Sequence, residues 1–198
     1  ACAVDLVDPQ DTARELLELD QGETVVGWVG RLIPVKGAHV LVRAVAEGVP
    51  GRPTIAVIGY GPELDRLRGL AAELGVAEQI RFYPEIRDAG RYFSAFDTFV
   101  LSSRSEGLPI VMLEAMAAGA PIVSTAVGGV PGALREEAGW LCPPEDPGAL
   151  ADAIGASLAD RTEAERRAAR ASARLRADFS LDAFLEQYER VYRSLVEA

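Results

Sequence analysis

The chain has 198 residues, 49% of them hydrophobic, and a formal net charge of −10. That is enough apolar material for one compact core and too much for a disordered chain. The acidic balance argues against nucleic acid as the main partner, which needs a broad basic surface. No apolar run approaches the roughly 20 residues that span a bilayer. The two cysteines, Cys2 and Cys142, lie far apart and fit neither a disulfide framework nor a metal motif. A reducing, cytoplasmic location is the simplest reading, with a peripheral position at the membrane left open for a full-length protein. The chain opens on "ACAVD", with neither Met nor a signal peptide, and could be a domain cut from a longer protein.

Short β-rich runs alternate with helical patterns. The predicted strands are "TVVGWV" (24–29), "TIAVIG" (54–59), "QIRFY" (79–83), "DTFVL" (97–101) and "PIVST" (121–125), with a short one at "GWLC" (139–142). They are nearly continuous in Val, Ile and Phe, as strands covered on both faces are. The helical segments between them are 40–47, 62–75, 109–119 and 148–160. In the second, Leu64, Leu67, Leu70, Ala71 and Leu74 recur at helical spacing, with Pro62 in the first turn and Gly75 as the stop. The third starts at Pro109, because proline disfavours helical geometry at Leu108. Repeated β-α-β predicts a Rossmann-like, doubly wound parallel sheet with helices on both faces, followed by C-terminal helices. The division is 1–23 as lead-in, 24–160 as the Rossmann-like unit and 161–198 as helices completing it. In the last part an arginine run interspersed with Glu163 and Glu165 reads as a solvated helix face rather than a basic binding face. Ser180 is placed to cap the final helix, with Asp182 and Glu186 near its start.

Ligands of an open parallel sheet sit at the carboxyl ends of its strands. The segments "GRLIPVKG" (30–37), "GYGPE" (59–63), "PEIRD" (84–88), "SSRSEGLP" (102–109) and "AVGGVPG" (126–132) should crowd that edge. Their glycines allow backbone to approach a ligand closely. "GYGPEL" has Gly59 and Gly61 but Leu64 where a dinucleotide motif needs glycine, and it follows the wrong strand, so an NAD site is disfavoured. His39, the one histidine of the sequence, gives Ser-His-Asp chemistry little support and reads as a packing or surface residue. Arg31 and Lys36 flank a helix entrance, which suits a pyrophosphate: Arg binds oxygens bidentately and Lys adds a mobile point charge. The bland alternative is two surface cations on a loop. Glu106 falls in an entry loop and Glu114 in the second turn of the helix behind it. As acceptors they suit sugar hydroxyls, while N–H groups near Gly107 and Leu108 suit an anion. Spacing alone leaves equally open a dipole partner at Glu106 and a solvated residue at Glu114.

Four of these stretches, "VGRLIPVKG", "GYGPELDRLRGLAAELGV", "RSEGLPIVMLEAMAAGAPIVSTAVGGVPGAL" and "GWLCPPEDPGALADAI", together resemble the C-terminal half of the GT-B-fold retaining glycosyltransferases of family 4. The likeness runs from about Val25 to Ala159, and more weakly through "YERVYRSL". It implies a half that binds a nucleotide-diphosphate sugar (a UDP-, GDP- or ADP-sugar) for transfer of a hexosyl unit. Arg31 and Lys36 then match the pair on the diphosphate, Glu106 the acid on hydroxyls of the transferred sugar, and Glu114 the acid on the ribose. Gly30, Gly59, Tyr60 and Gly61 fall in its donor-binding loops. The backbone of Gly107, Leu108, Pro109 and Ile110 would lie near sugar and phosphates, and Pro84, Glu85, Ile86 and Arg87 in the segment that packs on the base. Neither cofactor nor metal is expected, since cations and helix N–H groups can stabilise the leaving diphosphate. The acceptor (a sugar, a lipid or a small molecule) would be bound by an absent N-terminal domain, with "ACAVD" as the tail of the linker. The isolated chain is then expected to bind donor and to transfer sugar poorly or not at all. Tyr60 departs from the small or acidic residue usual at its position, and Pro84 stands near a usual glycine, which bears on base and sugar identity. Two other functions compete: a nucleotide-sugar binding module serving a separate acceptor subunit, and a sugar-nucleotide epimerase of related fold.

Overall fold

The structure, a computed structural model, describes residues 7–84, 86 and 88–196. The "ACAVD" stretch, Glu85 and Arg87 therefore lie outside the described residues. In chain order the elements are α1 (Gln10–Leu16), β1 (Val25–Val29), α2 (Ala38–Gly48), β2 (Thr54–Ile58), α3 (Leu64–Glu73), β3 (Ile80–Tyr83), β4 (Thr98–Leu101), α4 (Ile110–Ala118), β5 (Ile122–Thr125), α5 (Val130–Leu134), β6 (Trp140–Cys142), α6 (Pro147–Ala159), α7 (Arg161–Asp178) and α8 (Leu181–Val196). All six strands pair in parallel, in the order β3-β2-β1-β4-β5-β6. The order reverses between β1 and β4, whose register pairs Val26 with Thr98 and Trp28 with Val100. That reversal opens the crevice in which this class of sheet holds ligands.

The strands are apolar on both faces because each face has its own core. One gathers Val25, Val29, Phe93, Phe96, Phe99, Met112, Met116 and Ile122, with Ala13 and Leu17 from α1 and Ala171 and Leu175 from α7. The other gathers Val26, Trp28, Ile55, Val57, Val100 and Val123 with α2, α3 and α6. Each fully buried Val, Leu, Ile, Phe or Met among them contributes about 1.5–3 kcal/mol of transfer free energy.

Three findings go beyond or against the sequence reading. Residues 10–16 are not merely a lead-in. They form α1, pinned by Arg14, which is 4% exposed and donates to the carbonyls of Ala95 (3.2 Å), Gln21 (2.9 Å) and Glu23 (3.1 Å) and to Asp97 Oδ2 (3.0 Å). The same Asp97 oxygen accepts from the amide that opens β1, Val25 N, at 2.8 Å. Second, α3 begins at Leu64 rather than at Pro62, because Glu63 N donates to the Leu32 carbonyl at 3.1 Å and holds the Gly61–Pro62 turn in the loop layer. Third, the arginines of α7 are not simply solvated. Arg167 donates to the Gly139 carbonyl (2.6 Å), Arg170 to Glu137 (3.3 Å) and Arg174 to Ala133 (2.6 Å) and Gly132 (2.8 Å). Their stems reach across the helix flank, so their heads satisfy carbonyls around and after α5. Ser180 Oγ accepts from Ala183 N at 3.1 Å and caps α8 as expected. Beyond that cap, α8 carries Leu181, Leu185, Tyr188, Tyr192 and Leu195, each more than half exposed.

Candidate functional site

Each predicted loop leaves the carboxyl end of its strand. After β1 the chain runs through exposed Arg31 and buried Leu32 into a 3-10 turn, Pro34–Lys36, closed by Gly37 at φ 68°. A Cβ at Gly37 would overlap the carbonyl oxygen of Ser102, in the segment that follows β4. On the far side of that segment, a Cβ at Gly128 (φ 54°) would overlap the carbonyl oxygen of Glu106, and Gly129 N donates to Gly107 O at 2.8 Å. Backbone therefore lies on backbone across three consecutive loops. Gly59 and Gly61 face the carbonyls of Gly30 and Leu32 in the same way. The sequence reading reserved this closeness for a ligand, but at these positions a neighbouring loop already uses it. Gly107 differs: a Cβ there would meet nothing within 4 Å.

The interlock brings Lys36 and Glu106 together at the reversal point. Lys36 Nζ lies 2.7 Å from Glu106 Oε1, with the lysine side chain 25% and the glutamate 8% exposed. Ser103 Oγ donates to the same Oε1 at 2.6 Å. Among the described residues, Glu106 Oε2 accepts no hydrogen bond. Ser102 and Ser103 are both wholly buried. Ser102 Oγ accepts from Trp28 Nε1 at 3.1 Å and donates to the carbonyl of Gly37 at 2.9 Å. Thr125 Oγ1, from the end of β5, donates to the Ser103 carbonyl at 2.6 Å. Sequence reasoning placed both ends of the ion pair at this edge but read them as separate grips, and it passed over the two serines. The hint it had was the occurrence of two hydroxyls at the end of an apolar strand, where an unpaired polar group would be costly.

Pro109 is extended (φ −71°, ψ 119°), and because that ψ is not helical α4 starts at Ile110, one residue later than predicted. Glu106 turns Oε1 to Lys36 and Ser103, and among the described residues no side chain caps α4 by a hydrogen bond. Glu114 stands in the second turn of α4, half-buried, and burial pushes its carboxyl above the usual carboxylate range. It has no paired cation among the described residues, which separates it from a fully solvated helix glutamate. Tyr60 (63% exposed) and Leu108 (42%) stand out from their loops, and Ile110 (67%) from the first turn of α4. Pro84 and Ile86 are half-buried after β3, and Ile86 packs on the core. His39 is half-buried near the start of α2, and burial with nearby Arg104 and Arg66 lowers its pKa. Cys142 is buried, with its thiol pushed up to about 11 by desolvation.

The six-stranded parallel sheet in this order matches the C-terminal domain of the GT-B fold. The chain belongs to the glycosyl transferases group 1 family, which it matches over residues 9–175. It is 39% identical over 173 residues to the D-inositol 3-phosphate glycosyltransferase of Nocardia farcinica, across 81% of this chain and 38% of that protein. It superposes with TM-score 0.85 at 25% identity on Anabaena HepE solved with UDP-glucose, covering 96% of this chain and 55% of that one. It covers 98% of a solved C-terminal domain of a group 1 glycosyl transferase from Francisella tularensis, at 23% identity and TM-score 0.78. The chain thus spans about two fifths of the Nocardia relative's length. No described helix is long and apolar enough to cross a membrane.

Proposed function

We propose that this chain is the donor-binding half of a retaining glycosyltransferase that takes a nucleoside-diphosphate sugar and passes its hexosyl unit to an acceptor held by further protein. Arg31 and Lys36 neutralise the diphosphate, and Glu106 accepts from a hydroxyl of the transferred sugar. Glu114 accepts from the ribose hydroxyls. The observation that carries this reading is the contact between Lys36 and Glu106 at the switch point, which sets a cation for phosphate beside an acceptor for sugar. The amino end of α4, preceded by Gly107 and Leu108, adds N–H groups and a favourable dipole for the same anion. The relatives' names support the class: one is a D-inositol 3-phosphate glycosyltransferase and another was solved with UDP-glucose.

In the reaction, the bond from the anomeric carbon to the β-phosphate oxygen breaks. The acceptor oxygen bonds to the same face of that carbon, and its proton passes to the departing phosphate oxygen. A double displacement needs an enzyme nucleophile at the anomeric carbon. Glu106, occupied with hydroxyls and with Lys36, leaves the front-face route as the reading. Calorimetric titration of the chain with UDP, GDP and ADP, and then with their sugars, tests it. Saturable binding to one base is expected, weakened about tenfold or more in Lys36→Ala through loss of a charge-assisted contact. A folded chain that binds no nucleotide at millimolar concentration would refute it.

A further inference from the structure

The ion pair at the switch point is itself held from behind. The adjacent residues Ser102 and Ser103 follow directly on β4 and hold different neighbours. Ser102 grips the β1 loop through the Gly37 carbonyl at 2.9 Å, one residue beyond Lys36, and is itself fixed by the Trp28 indole N–H. Ser103 grips the carboxylate of Glu106 at 2.6 Å and is fixed by the Thr125 hydroxyl on its own carbonyl. Both contacts to Glu106 fall on Oε1, the Ser103 hydroxyl and the Lys36 ammonium together. A carboxylate tied twice through one oxygen has a fixed plane. Its second oxygen keeps its acceptor capacity and a set direction, at a side chain only 8% exposed.

We infer that Ser103 is a positioning residue for donor recognition. By holding Oε1 it aims Oε2 of Glu106 at a hydroxyl of the donor sugar, while Lys36 stays paired and available to the diphosphate. This rests on the donor-binding reading above. It also removes a conflict within that reading, since Glu106 need not release Lys36 to accept from a sugar. The division of labour follows from geometry: one oxygen serves the protein, the other the ligand. Free rotation of the carboxylate would cost affinity for the sugar portion in particular, because aligned partners are what make a buried charge-assisted bond strong.

The test is the ratio of affinities for the sugar nucleotide and the bare nucleotide. Isothermal titrations of wild type, Ser103→Ala, Glu106→Ala and the double variant are run with UDP, UDP-glucose and UDP-N-acetylglucosamine. Ser103→Ala is expected to lower the preference for the best sugar nucleotide over UDP by about tenfold, the loss of one hydrogen bond to a charged group. In the Glu106→Ala background the serine change should lower it no further, since Ser103 then has nothing to aim. Ser103→Cys, of similar size and weaker donor strength, should fall between wild type and Ser103→Ala, and it carries the test if the alanine variant does not fold. An unchanged preference, or losses that add in the double variant, overturns the positioning role and leaves donor binding intact. If the wild-type chain binds GDP or ADP instead, the same variants are compared on that nucleotide and its sugars; failure to bind any of the three nucleotides or their sugars overturns the donor reading together with this proposal.

Discussion

Replacing Glu114 by Gln separates what the fold requires from what the ligand requires. The side chain is half-buried, with no paired cation among the described residues, and burial alone raises its pKa above the ordinary 4.5. A raised carboxyl pKa means that the folded chain disfavours the ionised form. The penalty is absent below the ordinary value, where the group is protonated folded and unfolded alike. It grows as pH rises and is complete above the folded value. Glutamine, neutral throughout, is free of it. Because solvent still reaches this half-buried group, the gain is reduced to roughly a few tenths of a kcal/mol. At 198 residues that is about 1 °C in melting temperature. Glu114→Gln should therefore be slightly more stable than wild type at pH 7, with the difference closing by about pH 4. Affinity should move the other way, because an amide oxygen is a weaker acceptor for ribose hydroxyls: about tenfold weaker nucleotide binding, or roughly 1.4 kcal/mol. Paired urea titrations at the two pH values and calorimetry at pH 7 measure both. A variant that is less stable at pH 7, or that binds nucleotide as well as wild type, would refute the reasoning.

The other expectations concern the frame. Arg14→Met should lower stability by roughly 3–5 kcal/mol, because three carbonyls and the Asp97 carboxylate lose their shared donor; urea unfolding reads it, and a loss under 1 kcal/mol would mean that α1 is not held by this arginine. In a Cys2→Ser background, Cys142 should resist a thiol reagent at pH 8 until denaturant is added, because it is buried and its thiol is pushed up to about 11; prompt labelling of folded protein would contradict its burial.

The strands were legible because a parallel sheet covered on both faces turns each strand into an unbroken apolar word, and five such words with helical spacing between them leave few topologies. Helix α1 was not, since its seven residues are too few for periodicity to declare itself against a polar background. The arginines of α7 show a second limit. Their chemistry was visible, but their partners lie 28 to 42 residues away in the chain, and no local pattern encodes that distance. At the site, the loop rule located Lys36 and Glu106 from sheet topology alone. That they would bind each other, with Ser103 behind them, depends on how three loops stack, which one chain's spacing does not express.

The stacking of those loops leaves them no slack. With Gly37 seated on the Ser102 carbonyl and Gly128 on that of Glu106, one inserted residue on either side would push backbone into backbone and pull the ammonium from its carboxylate. Length is therefore frozen at this edge of the molecule. A change of ligand preference in this chain has to be written in side chains that stand clear of the stack, and Tyr60, raised on its glycine-flanked turn, is one with room to be rewritten.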